Sequence, residues 1–147
     1  MPKILPPLVF LFCLLLAMAA HFFLPLYKIL VSPMNFIGLL PLVVGIGFLA
    51  VGSARFMRIG TNLNTFIKPD ILVTTGPFRF TRNPMYLGFT LVLLGNWLLW
   101  GTLSPLVGVV IFFVAANFWY IPFEESRCED VFGEVYLEYK SKVRRWL

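Results

Sequence analysis

From Ile4 to Leu26, and again from Met34 to Ala54, the chain carries no charged residue. Wound as a helix at 1.5 Å per residue, either stretch crosses a hydrocarbon layer of about 30 Å, so the pattern predicts spans at 4–26 and 34–54. A longer uncharged run, Asn83 to Phe123, exceeds one helix and is broken by Gly101-Thr102-Leu103-Ser104-Pro105, a cluster with the composition of a tight turn. It predicts a helical hairpin with arms at 84–100 and 105–121, each short for a span. In the tail the period changes. Phe132, Val135, Tyr136, Tyr139, Val143 and Trp146 recur every three or four positions, with Glu134, Glu138, Lys140, Lys142 and Arg144 between them, the pattern of an amphipathic helix at an interface. The predicted fold class is all-α: one polytopic membrane domain over 1–147, a bundle of about four transmembrane helices with a cytoplasmic amphipathic C-terminal helix.

Composition agrees with the pattern. Of 147 residues, 59% are hydrophobic and 13% charged, where a soluble domain carries about 25% charged residues, which excludes a soluble globule and a disordered tail. The net charge of +5 in so apolar a chain points to anionic lipid headgroups rather than nucleic acid. With four spans, eleven of the twelve Lys and Arg fall on one side and Lys28 alone on the other. The positive-inside rule then places both termini and the 55–85 loop in the cytoplasm. Lys3, the apolar stretch to Leu16 and Ala17-Met18-Ala19 imitate a cleavable signal, but the apolar run continues through His21 to Leu26 as in a retained helix.

One His, two well-separated Cys and no Cys-x-x-Cys leave no zinc, haem or disulfide arrangement to expect, and no Ser-His-Asp set. Gly45-Ile46-Gly47-Phe48-Leu49-Ala50 matches a dinucleotide string only by chance, because it lies mid-span with no strand before it. Gly45, Gly47, Ala50, Gly52 and Ala54 read instead as a face for close helix packing.

Polar residues concentrate in 55–85 and 122–147, which the topology brings to one membrane face. Asn83 before Pro84 reads as the N-cap of the third helix. It also reads, with Arg82 and the backbone NH groups of that helix start, as a site for a carboxylate or phosphate. Arg79, Arg82 and Tyr86 fit headgroup anchors equally well. Glu124 and Glu125 follow Pro122 at the membrane boundary. They read as favourable charge at the start of the tail helix, or as acceptors for a ribose hydroxyl or an ammonium group.

The string Leu72-Val73-Thr74-x-Gly76-x-Phe78-x-x-x-Arg82-Asn83-Pro84-x-Tyr86-x-Gly88, followed by Glu124-Glu125 and Phe132-Gly133-x-x-Tyr136-x-x-Tyr139-x-x-x-Val143, resembles the isoprenylcysteine carboxyl methyltransferase family. It is most similar to short bacterial-type members that share motifs with phospholipid N-methyltransferases, and the likeness covers roughly residues 55–147. The resemblance implies an integral enzyme of the bacterial inner membrane that uses S-adenosylmethionine to methylate a lipophilic small-molecule or prenylated acceptor, without metal or nucleic acid. Carried over by position, the cofactor-binding residues are Ile71, Leu72, Val73, Phe78, Asn83, Pro84, Met85, Tyr86 and Glu124; no catalytic residue is implied. Asn83 stands where the eukaryotic pattern has His, and Cys128 where Leu is usual. Tyr120 stands where eukaryotic members place an Arg that holds the substrate carboxylate, with Arg127 as the candidate to replace it. Methyl transfer from a sulfonium needs alignment and exclusion of water rather than a metal or nucleophile, so the residues are compatible with that chemistry. A phospholipid N-methyltransferase, an NADPH-dependent sterol-type membrane reductase and a non-enzymatic membrane scaffold are the alternatives.

Overall fold

The structure is a computed structural model that describes residues 4–59 and 70–147; Lys3 and Lys68, both counted in the charge asymmetry, lie outside the described residues. The first helix, α1, runs Pro6–Phe23 and opens on two prolines, whose missing N–H groups cost nothing in a first turn. A 3₁₀ turn at Met34–Gly38 leads into α2, Leu39–Ile59. A second 3₁₀ turn, Gly76–Arg79, precedes α3, Pro84–Trp100. Next come α4 at Leu106–Ala115, a π turn at Ala116–Tyr120, α5 at Ile121–Phe132 and α6 at Glu134–Lys142. Among the described residues there is no strand beyond one bridge between Lys28 and Thr102. The protein is thus an all-helical membrane bundle. Pro6–Phe23, Met34–Arg58 and Leu106–Phe132 are each long and apolar enough to cross a membrane, and α3 is a shorter apolar helix of 17 residues.

The centre of the bundle is α3, buried at Tyr86, Leu87, Val92 and Leu93; a helix apolar on every side is one enclosed by its neighbours. Its approach to α2 depends on glycine. A Cβ on Gly45 would come within 2.7 Å of the Gly88 carbonyl oxygen, and one on Gly38 within 2.5 Å of the Gly95 oxygen. The seven-residue step from Gly38 through Gly45 to Gly52 keeps one face toward α3, and small residues let backbones close. Of the small residues expected on this seam, Gly45 and Gly52 are on it, whereas Gly47 faces open space and Ala50 is exposed. On the other side of α3, α1 packs on α4, where Gly108 meets Cys13 and Ala17.

The hairpin turn forms where the sequence puts it. Gly101 ends α3 at φ +70° with its N–H on the Trp97 carbonyl, the left-handed cap that glycine adopts without strain. His21 Nδ1 meets Thr102 Oγ1 at 2.8 Å, Trp97 Nε1 donates to the Thr102 carbonyl at 2.9 Å, and the Leu26 N–H donates to Ser104 Oγ at 2.8 Å. Neutral hydrogen bonds therefore stitch this end of the bundle.

The second arm does not end at 121 as expected. The helix runs on unbroken from Leu106 to Phe132, although Pro122 lacks an N–H and its ring would collide with a carbonyl one turn back. The π turn just before it resolves the conflict: the Ile121 N–H bonds to Ala116 O, five residues back, and the extra residue makes room for the proline. Glu124 and Glu125 consequently lie within a continuing helix and not at the start of a separate tail helix. The tail helix is shorter than its pattern suggested, because Gly133, at φ +51°, separates Phe132 from α6 and the chain is extended from Val143 onward. Its aromatic side also turns inward. Tyr136 is buried and Trp146 stacks on Phe113, leaving Val135 exposed.

Candidate functional site

At the end of the bundle opposite the hairpin turn, the residues before α3, the middle of α5 and the extended C-terminus converge on Glu125. This carboxylate is 5% exposed, and a buried charge is tolerable only when paired and hydrogen-bonded. Arg82 supplies the first partner, donating from Nη2 at 2.8 Å and Nε at 3.2 Å to Oε1. Arg145 Nη2 donates to Oε2 at 2.7 Å, and Lys140 Nζ stands 4.0 Å from the same oxygen while pairing with Glu129. Arg82 also donates from Nη1 to the Lys140 and Val143 carbonyls, and its backbone N–H reaches Arg144 O at 2.9 Å. Arg82 is thus a buried cross-link rather than a headgroup anchor, and the anion beside the start of α3 is the protein's own Glu125.

The C-terminal segment of residues 143–147 is held by more than this ion pair. Arg145 O accepts from Thr81 Oγ1 and from Asn83 Nδ2, each at 3.0 Å. Asn83 therefore makes no side-chain cap for α3, contrary to the cap reading; its amide is already engaged by the tail, and it is 8% exposed. Trp146 Nε1 donates to Asn117 Oδ1 at 3.0 Å, and Arg145 Nη1 lies 3.4 Å from Asn117 O. That carbonyl is left over by the π turn, since Ile121 donates to Ala116 and Pro122 has no hydrogen to give.

Against this framework sits the pair that the sequence singled out. Tyr86 OH donates to Glu124 Oε1 at 2.8 Å, and the Tyr86 ring stacks on Tyr120 at 6.2 Å between centroids. Tyr120 OH donates in turn to Ile4 O at 2.8 Å, which brings the start of α1 to the same end. Asn83 and Pro84 are buried one turn before Tyr86, and Met85 points toward Gly52 of α2. Phe78 is buried edge-on to Phe56 at 5.5 Å, and its carbonyl accepts from Tyr139 OH at 2.7 Å. Val73 is buried, Leu72 half-buried and Ile71 exposed on the approach to that turn. Arg127 places its guanidinium 5.0 Å above the Phe123 ring, one turn along α5, a cation–π contact.

Burial sets the protonation of the tail phenols. Tyr139 is pushed up to about 12 mainly by burial, and Tyr136 is raised further by burial and by the Glu125 charge. Both remain neutral donors. Among the described residues no three His, Cys, Asp or Glu side chains converge on one metal position.

Chemically, this end offers a carboxylate held by a phenol, two stacked aromatic rings and a rigid polar frame beneath them. A carboxylate accepts from ribose hydroxyls or an ammonium, and aromatic faces attract a cation; this acceptor and these faces are compatible with a sulfonium nucleoside. Sequence reasoning missed the roles of Glu125, Arg145 and Thr81. One signal was present: two acids beside an apolar span require partners, and the topology puts Arg82 and Arg145 on the same membrane face as the pair.

Comparison with known proteins bears on the same segments. A family model described as phospholipid methyltransferase matches residues 33–135. An uncharacterized protein of Haemophilus influenzae is 47% identical over 64 residues, which cover 43% of this chain and all of that protein. The protein-S-isoprenylcysteine O-methyltransferase of Saccharomyces cerevisiae is 40% identical over 75 residues, half of this chain but 30% of the yeast protein. No solved structure matches.

Proposed function

The chain belongs to the phospholipid methyltransferase family, and from that membership we propose that it transfers a methyl group from S-adenosylmethionine to a lipophilic acceptor at the end of the bundle where Tyr86 meets Glu124. The observation that carries this reading is the 2.8 Å Tyr86–Glu124 hydrogen bond beside the Tyr86–Tyr120 stack. It lies at a polar edge that a water-soluble donor and a lipid-borne acceptor can both reach. We place that edge, with both termini, in the cytoplasm, following the distribution of Lys and Arg.

When bound, S-adenosylmethionine supplies an electrophilic methyl group on a sulfonium. Glu124 would hold the cofactor's hydroxyl or ammonium groups, with Tyr86 fixing the carboxylate by its hydroxyl. The stacked rings of Tyr86 and Tyr120 offer apolar faces to the cation. Val73, Phe78 and Pro84 are buried around the approach to α3, where apolar walls exclude water and favour alignment over hydrolysis. Ile71, Leu72, Asn83 and Met85 complete the proposed cofactor segments.

For the acceptor we favour an isoprenylcysteine-like carboxylate or a related small lipid-like group over the amine of a phospholipid. We assign the acceptor's carboxylate to Arg127, which stands on α5 one turn beyond Glu124 with its guanidinium over the Phe123 ring. The test is transfer from tritiated S-adenosylmethionine, in nanodiscs, to a prenylcysteine and to phosphatidylethanolamine. Methylation of the prenylcysteine, lost at least tenfold in Arg127→Ala, is the expected result. Labelling of phosphatidylethanolamine alone would reverse the assignment, and a fully active Arg127→Ala enzyme would remove Arg127 from it.

A further inference from the structure

The cations at the site end divide into two populations. Arg82, before α3, and Lys140, Lys142 and Arg145, on α6 and the C-terminal segment, are paired with Glu125, Glu129 or Glu138. On the last turns of α2 and the 3₁₀ turn Gly76–Arg79 stand Arg55, Arg58 and Arg79. Among the described residues none of these three forms an ion pair, and six of the seven acids belong to residues 124–138, Asp70 being the seventh. The two segments are in contact: Phe56 meets Phe78, and the Arg55 guanidinium lies against Gly76. Three arginines thus stand on two contacting segments with no ion pair among the described residues.

This corner is apolar as well as basic. Met57 is 66% exposed and Phe80 71% exposed, and beside the arginines α2 presents a shallow hollow along Ala50, Val51 and Ala54. Cations at the end of a spanning helix stand at headgroup depth, and apolar side chains at that depth enter the acyl boundary. We propose that this corner is a docking surface for an anionic phospholipid, its phosphate held by Arg55, Arg58 and Arg79 and its chain lying along α2. Charge complementarity selects that occupant: a guanidinium matches a phosphate in two-point geometry, and a basic cluster next to a span is drawn to anionic lipid. The site is separate from Tyr86 and Glu124 and does not rest on methyl transfer.

The experiment is native mass spectrometry of the full chain released from nanodiscs of equal phosphatidylglycerol and phosphatidylcholine. Wild type should retain phosphatidylglycerol in preference. Arg58→Gln/Arg79→Gln, which changes two exposed side chains, should lower that retention about tenfold with helical content unchanged. The control Lys142→Gln/Arg144→Gln, which removes as much charge from the tail, should leave retention as it was. If the double variant does not fold, each single replacement should lower retention in the same direction. No preference in the wild type, full retention in the arginine variants, or equal loss in the control would each overturn the proposal, the last by reducing it to net charge.

Discussion

The two ends of this bundle meet the same physical demand by opposite means. Where the chain turns at a membrane boundary, its polar groups must be satisfied without bulk water. At the hairpin end this is done with neutral groups: His21 on Thr102, Trp97 on a carbonyl, Ser104 on the chain after α1. Trp97 closes the turn on itself, and the other two bonds tie the end of α1 and the chain after it to that turn. At the other end a carboxylate, two arginines and a lysine tie together three segments distant in sequence. A neutral set closes a turn at small cost, whereas a charged set is worth its desolvation only where geometry must be fixed. The charged end is also the one that carries Tyr86 and Glu124. Its rigidity lies directly under the pair proposed to hold a cofactor.

The comparison breaks most sharply at Glu125. Glu125→Gln leaves Arg82 and Arg145 without their anion, and losing one partner of a buried ion pair costs about 3–5 kcal/mol. Denaturation in detergent should show that loss together with release of the C-terminal segment to proteolysis. A near-neutral effect would mean that the hub is ornamental. At the hairpin end, Thr102→Val removes the partner of His21 and should cost about 1–2 kcal/mol. Its cofactor affinity should be unchanged, so a variant that binds poorly would erase the division of labour between the ends.

A smaller effect sharpens the picture at the tail. Tyr139 is held up to about 12 by burial, above the ordinary value of about 10. The folded state therefore keeps the proton more tightly than the unfolded chain. The stabilisation is complete below about pH 10 and is lost as pH rises through about 12. Tyr139→Phe should lower stability by about 1 kcal/mol at neutral pH, through the lost bond to Phe78 O, and flatten the alkaline limb of a melting-temperature profile. An unchanged alkaline limb would assign that limb to other groups.

What was legible in the sequence follows from which forces are local. The uncharged runs and the Gly101 turn announce spans and a hairpin because burial and backbone geometry act residue by residue. The small residues Gly45, Gly47, Ala50, Gly52 and Ala54 likewise announce a seam, though not which of them lie on it. Pro122 misled, because a proline signals a helix end unless an extra residue makes room for it, and Ala116–Tyr120 gives no compositional sign of a π turn. Asn83 misled for another reason. Its position before Pro84 is that of a cap, yet its amide is claimed by Arg145 O, a partner 62 positions away that no local pattern encodes. Tyr86 and Glu124 were marked by resemblance, and the structure joins them. The network beneath them needed three dimensions.

The most direct test of the central claim is equilibrium binding of S-adenosylmethionine and S-adenosylhomocysteine to the full chain in nanodiscs, with NADPH as control, for wild type and Glu124→Gln. The account predicts saturable binding of both sulfur ligands, none of NADPH, and a loss of tenfold or more in Glu124→Gln, about 1.4 kcal/mol, at unchanged folded yield. Equal affinity in that variant would remove Glu124 from the site, and no binding by a folded wild type would contradict the account itself.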